Sequence, residues 1–169
     1  LCKESKEEFF ILGKGSDLLV SDDGFDGIII CVDELKNINS VGNCIIAETG
    51  ASLVSVSNLA KQESLTGLEF ACGIPGSVGG AVYMNAGAYG GEIKDVLKSV
   101  KVITADGCIR NIPGGEMDLS YRHSRAMNEK LIILEAVFEL EPGNKSEIET
   151  KVKELLSKRA EKQPLEYPS

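Results

Sequence analysis

Hydrophobic positions along the chain fall mostly into short runs bounded by glycine, with two stretches that repeat at helical spacing instead. "FFILG" (residues 9–13) predicts a strand ending at Gly13, and "GIIICV" (27–32) a second one rich in β-branched residues. "NCIIAETG" (43–50) predicts a third, closed by Gly50. From Ser52 to Gln62, apolar residues at 53, 54, 56, 59 and 60 share one face of an amphipathic helix. "SVKVITADG" (99–107) reads as a strand turning at Asp106-Gly107, with "CIRNI" (108–112) as its hairpin partner. The strongest strand is "KLIILEAVFELE" (130–141). The strongest helix is "KSEIETKVKELLSKRAEK" (145–162), with apolar residues at 148, 152, 155 and 156. Pro164 and Pro168 prevent its continuation. There is no internal repeat, and the pattern as a whole is α+β.

Composition narrows the function classes. The 169 residues carry 26 acidic against 18 basic side chains, a net charge of −8. That excludes a general nucleic-acid or anionic-membrane surface, which needs a basic face, although a local basic pocket stays possible. No run approaches the roughly 20 apolar residues of a membrane span. The start, "LCKESKEEFF", is charged rather than apolar, so no signal peptide is expected and the chain reads as entered partway. Five scattered cysteines (Cys2, Cys31, Cys44, Cys72, Cys108) form no C-x-x-C pair. They are expected as reduced thiols filling the core of a cytoplasmic protein. With a single histidine, no metal site is expected.

One stretch breaks the patterning. Residues 73–91, "GIPGSVGGAVYMNAGAYGG", hold seven glycines and no charge in a chain that is 26% charged. Small side chains leave room for a flat or extended ligand recognised by backbone N–H and C=O groups. Gly73, Gly76, Gly79 and Gly80 stand at spacings that favour neither helix nor strand, and Pro75 fixes φ between two of them. Asn85 offers an amide donor, and Tyr89 an aromatic ring beside Gly90 and Gly91. The alternative is a close-packed structural loop. A second segment, "GKGSDLLV" (13–20), follows a strand. Its successive N–H groups can form a concave nest for an anion, phosphate above all, with Ser16 adding a hydroxyl. The alternative there is a plain tight turn. Without the full G-x-G-x-x-G spacing or a following helix, it is not a Rossmann signature. A dinucleotide, with a pyrophosphate and a large ring system, suits both segments.

"GKGSDLLVSDDGFDGIII", "GLEFACGIPGSVGGAVYMNAGAYGGEI" and "YRHSR" resemble the UDP-N-acetylenolpyruvoylglucosamine reductase (MurB) family, from about residue 9 onward. The resemblance implies an α+β, FAD-binding fold of the vanillyl-alcohol oxidase / PCMH type, truncated at both ends. It divides the chain into the remainder of an N-terminal FAD-binding subdomain (1–34), a second FAD-binding subdomain (35–163) and a lead-in (164–169) to an absent substrate-binding domain. The implied reaction is NADPH-dependent reduction of UDP-N-acetylglucosamine enolpyruvate to UDP-N-acetylmuramate in peptidoglycan precursor synthesis. FAD is then the cofactor, NADPH the hydride donor and a UDP-sugar the partner.

By position, the resemblance implies that Gly13, Gly15, Ser16, Asp17 and Leu18 wrap the pyrophosphate and adenosine side of FAD. Gly73, Ile74, Pro75, Gly76, Ser77, Gly79 and Gly80 would line the rest, with Asn85, Gly87, Tyr89 and Gly90 completing that wall. Arg122 would be catalytic and substrate-binding, a fixed cation for the charge developing toward the substrate carboxylate, and Tyr121 would flank the substrate. His123 has no role in the family pattern. Two positions depart from it. Asp17 replaces the usual Asn and sets a carboxylate near a diphosphate, which disfavours binding unless Asp17 points away or is paired. Leu119 stands where an aromatic residue is common.

The family's proton-donating serine and a later glutamate would fall beyond Ser169, which belongs to the lead-in. The 169 residues alone are therefore expected to be inactive and to self-associate. Other readings are a flavoprotein oxidoreductase of the same fold with a different substrate, a flavin-binding module without catalysis, and a truncated product holding no flavin.

Overall fold

The computed structural model describes residues 7–162, so Cys2, Pro164, Pro168, Ser169 and the lead-in 164–169 lie outside the described residues. β1 (Phe9–Leu12) and β2 (Ile28–Cys31) form a two-stranded parallel sheet, paired from Phe9↔Ile28 to Leu12↔Cys31. Phe9, Phe10, Ile28, Ile29 and Ile30 are all exposed. Parallel strands with continuous apolar runs are ordinarily covered on both faces, and these are not, among the described residues.

β3 (Ile38–Val41) and β4 (Cys44–Glu48) make a hairpin whose turn uses Gly42 at φ +60°. After it come α1 (Leu53–Gln62), β5 (Leu65–Thr66), a 3-10 turn at Glu69–Gly73 and α2 (Val78–Tyr83). The short hairpin β6 (Gly87–Ala88) and β7 (Gly91–Glu92) precedes β8 (Leu97–Ile103) and β9 (Ile109–Pro113). The chain continues through α3 (Arg125–Glu129), β10 (Ile132–Glu139), β11 (Glu141–Pro142) and α4 (Lys145–Lys162). One five-stranded antiparallel sheet, ordered β3-β4-β10-β8-β9, carries the core.

β10 lies at the centre of that sheet because its Ile133, Ala136 and Phe138 face the core, with Phe138 fully buried. α1 buries Leu53, Val56, Ser57 and Ala60, the i, i+3, i+4, i+7 stripe of an amphipathic helix, and the Ser57 hydroxyl donates to the Leu68 carbonyl at 2.8 Å. α4 buries Ile148, Val152 and Leu155, whereas Leu156 is exposed at the edge of that stripe. No helix among the described residues is long and apolar enough to cross a membrane.

Several elements differ from the sequence reading, the two-residue strands β5, β6 and β7 among them. β3 is an additional edge strand whose exposed alternate positions mute its apolar signal. α3 is a short additional helix. α2 runs through the glycine-rich stretch, so Gly79 and Gly80 are helical after all. The cysteines also need correcting: among the described residues only Cys72 is buried, Cys44 is half-buried, and Cys31 and Cys108 are exposed, on the uncovered β2 and in the β8–β9 turn region. All four are free thiols.

A buried carboxylate locks α4 to the 3-10 turn. Glu69 accepts from the Thr66 hydroxyl at 2.5 Å and the Gly67 N–H at 3.0 Å, with the Lys151 ammonium 3.7 Å away. Burial pushes its acidity toward the neutral form. The Thr66 and backbone hydrogen bonds and the Lys151 charge outweigh burial, so the carboxyl titrates below its ordinary 4.5. A depressed folded value contributes stability that is present above the unfolded value and lost as pH falls through the folded one. Glu69→Gln is therefore expected to destabilise the fold at pH 7 by roughly 1–3 kcal/mol, the scale of hydrogen bonds to a charged group. The gap from the parent should narrow in urea melts below about pH 4.5. A pH-independent gap would show that the charge contributes nothing.

Candidate functional site

The loop after β1 and the segment before α2 meet. Ser16 Oγ donates to the Pro75 carbonyl at 3.1 Å across 59 residues of sequence. Gly13 packs so closely on Ser77 that an added Cβ would overlap its hydroxyl. Gly76 takes φ +136°, a conformation that disfavours a side chain, and a Cβ there would press on Ser16 Oγ at 3.1 Å. Gly15 takes φ +67° and turns the loop outward. Among the described residues, the N–H groups of residues 14–17, 19 and 20 donate no hydrogen bond, and neither do those of Gly76 and Ser77, whereas the turn at Ser16–Asp17 directs the Leu18 N–H back toward Gly15. Both rows of donors are thus open to an acceptor. Lys14, between the two loop glycines, pairs with Asp33 at 3.1 Å, and this contact is the main cause that holds the Asp33 carboxyl below its ordinary range.

The glycines of the second segment divide by role. Gly79 is buried where α2 crosses the end of β4. Its N–H donates to the Thr49 carbonyl at 2.8 Å, and a Cβ there would fall on the Thr49 side chain. Gly80 is exposed, and a Cβ there would make ordinary contact, 3.4 Å from Ser77 Oγ. Ser77 caps α2, its hydroxyl accepting from the Gly80 N–H at 3.3 Å, and it is buried. Ile74 packs against the core. Gly73 lies under the Arg159 and Leu156 side chains of α4. Close packing therefore accounts for Gly13, Gly73 and Gly79, while Gly15, Gly76 and Gly80 border open space or need positive φ.

Asn85 is buried at φ +44° and acts as a hub. Both of its amide hydrogens are committed within the chain, to Glu92 Oε2 at 2.5 Å and the Ser120 carbonyl at 3.1 Å. Its Oδ1 accepts from the Lys94 N–H at 3.0 Å. The donor expected to face a ligand instead braces three chain segments. Tyr89 and Gly90, at φ +54° and +86°, form the two-residue turn between β6 and β7, and the Tyr89 ring is exposed. Gly87 lies against the Gly91 carbonyl on the opposite strand. No hydrogen bond or ion pair among the described residues joins this hairpin to the 13–18 loop.

The "YRHSR" segment is fixed from both sides. Ser120 and His123 exchange N–H···O bonds of 3.2 and 3.1 Å around Tyr121 and Arg122, and the buried Ser124 hydroxyl donates to the Tyr83 carbonyl at the end of α2 at 2.7 Å. Arg122 takes φ +52° in that turn, and Tyr121 projects 91% exposed. The Arg122 guanidinium reaches the cofactor-type loop itself: Nη2 lies 3.1 Å from Asp17 Oδ1. Asp17, the departure noted in sequence, is paired. His123 Nε2 lies 3.3 Å from Asn128 Nδ2. Leu119 packs against the core.

Sequence reading missed Lys14 as the loop's cation, although its place between two glycines was the available signal. It also missed Thr49, because nothing local marks a contact made 30 residues away.

Residues 1–112 match the family described as FAD binding domain. The chain belongs to that family. This FAD binding domain is 52% identical, over all of its 169 residues, to a UDP-N-acetylenolpyruvoylglucosamine reductase of Clostridium botulinum (strain Alaska E43 / Type E3). It is 51% identical, again over its whole length, to the reductase of that name from Oceanobacillus iheyensis. It spans about 56% and 55% of those two relatives. The crystal structure of UDP-N-acetylenolpyruvylglucosamine reductase (MurB) from Thermus caldophilus superposes with a TM-score of 0.84 at 32% identity, covering 96% of this chain and 59% of that one. The α+β, PCMH-type FAD-binding fold implied by the motifs is the fold of this domain.

Proposed function

We propose that the complete polypeptide is an FAD-dependent, NADPH-driven reductase that converts UDP-N-acetylglucosamine enolpyruvate to UDP-N-acetylmuramate, with this domain supplying the cofactor site and the substrate arginine. The observation that carries this reading is spatial: Arg122 stands 3.1 Å from Asp17, at the lip of a loop lined with unpaired N–H donors and 105 residues away in sequence. Relatives that match every residue of the chain and bear the reductase name support the same reading.

The residues fit the cofactor. The open N–H groups of Gly15, Ser16 and Asp17, with those of Gly76 and Ser77, suit the diphosphate, with Leu18 at the end of their turn and Lys14, paired to Asp33, beside them. Gly13, Ile74, Pro75 and Gly79 shape that cradle from behind, whereas exposed Gly80 borders it. Tyr89 and Gly90 form a rim, with Gly73, Asn85 and Gly87 behind them. Asn85 acts by holding Ser120, and so the root of the arginine turn, rather than by donating to the ligand. Bound FAD would supply the hydride, collected from NADPH. Arg122 presents donors to the substrate carboxylate and stabilises the charge that builds toward it as the enolpyruvyl group is reduced. Tyr121 flanks the substrate. Proton delivery is assigned to a residue outside these 169.

The test is purification of the complete polypeptide, its visible absorbance, and product detection by mass after NADPH addition. A yellow protein forming UDP-N-acetylmuramate is expected, and residues 1–169 alone should form none. A colourless protein that rejects added FAD overturns the reading.

A further inference from the structure

Resting on that reading, we propose that Asp17 and Arg122 form an exchangeable charge pair that couples the two ligand sites, so that a carboxylate-bearing UDP-sugar loosens FAD binding. The pair is a single contact, Nη2 to Oδ1 at 3.1 Å, between side chains 52% and 55% exposed. It uses one of the five guanidinium N–H donors, and the others have no partner among the described residues. The root of the arm is fixed. Arg122 sits at φ +52° inside the Ser120–His123 turn, which Asn85 grips through the Ser120 carbonyl. The tip is held by the Asp17 bond alone, so it can change partners without moving the backbone.

Asp17 has the opposite problem. Its carboxylate lies in a loop where the N–H groups of residues 14–17 are open to an anion, and a like charge there disfavours a diphosphate. The loop's other cation, Lys14, is already engaged by Asp33 at 3.1 Å. Arg122 is the partner that neutralises Asp17 among the described residues. A substrate carboxylate that draws the guanidinium away leaves Asp17 uncompensated beside the cofactor. Coupling of this kind is reciprocal, so FAD must weaken binding of the carboxylate ligand by the same factor.

The experiment measures the FAD dissociation constant of the complete protein by flavin fluorescence, with and without saturating UDP-N-acetylmuramate. The product should weaken FAD about two- to five-fold, the scale of an exposed ion pair. Asp17→Asn should remove that effect. Arg122→Ala should weaken FAD without any product present, and adding Asp17→Asn to it should restore affinity. An unchanged FAD constant with product, or an effect that survives Asp17→Asn, overturns the coupling while leaving the reductase reading intact. Failure of the unmodified protein to bind FAD at all overturns that reading and takes the coupling with it.

Discussion

Arg122→Ala in the complete protein is expected to slow reduction of the enolpyruvyl substrate by about 10²–10³-fold, the usual cost of losing one preorganised charge-stabilising donor. Flavin reduction by NADPH, measured at saturating FAD, should be nearly unchanged. The split follows from geometry. Arg122 meets the 13–18 loop only at Asp17, from a turn braced by Ser120, His123 and Asn85, and its other donors have no partner among the described residues. A group so placed acts where charge develops on the substrate and has no part in loading the cofactor with electrons. Arg122→Lys should recover part of the rate, because an ammonium restores the charge without the planar fork. Stopped-flow measurement of the two half-reactions separates the outcomes, and equal slowing of both would make Arg122 a structural residue.

The second large effect concerns two adjacent glycines with opposite expected signs. Gly79→Ala places a methyl on the Thr49 side chain and 3.3 Å from the Thr49 carbonyl, in a buried helix crossing. Either α2 lifts from β4 or the Gly79 N–H to Thr49 carbonyl bond is lost, and destabilisation by about 2 kcal/mol or more is expected from such overpacking. Gly80→Ala meets only ordinary contact on the exposed side of α2. It should stabilise the helix by about 0.5–1 kcal/mol, the ordinary gain of alanine over glycine. Any loss at Gly80 should instead appear in FAD affinity, since that side borders the open N–H groups of Gly76 and Ser77. Denaturant melts of both variants, with FAD titrations, decide the matter. A Gly79→Ala protein as stable as the parent would show that the α2–β4 crossing adapts.

Much of the fold was legible because the signals were local. The apolar stripe of 53–60 and the Asp106-Gly107 turn each lie within one element, and the structure places α1 and the β8–β9 hairpin there. The glycine-rich stretch was legible as unusual but not as a helix. Its helicity comes from Ser77 capping and from burial of Val78, Ala81 and Val82, and tertiary packing overrode low propensity. β3 escaped notice for a related reason, since an edge strand keeps only alternate residues half-buried. At the site, the motifs named Asp17 and Arg122 separately. Nothing in sequence 105 residues apart announces that the two share an ion pair. The same distance hid the use of Asn85: its amide read as a spare donor, and only the fold shows where both hydrogens go.

The β1–β2 sheet, uncovered among the described residues, has a consequence for how residues 1–169 by themselves withstand a protease. Two-stranded sheets are marginal by themselves, and this one carries the cofactor loop directly on the end of β1. Its loop reaches the five-stranded body through a few light ties: Gly13 on Ser77, Ser16 to Pro75, and Asp17 to Arg122. Segments with few buried contacts open first and offer cleavable backbone. A ligand spanning residues 15–18 and 76–77 would stitch that unit to the body, so occupancy and survival become one equilibrium. Residues 1–169 by themselves should then be cut first at the β1–β2 unit in limited proteolysis, and more slowly as added FAD joins that unit to the body.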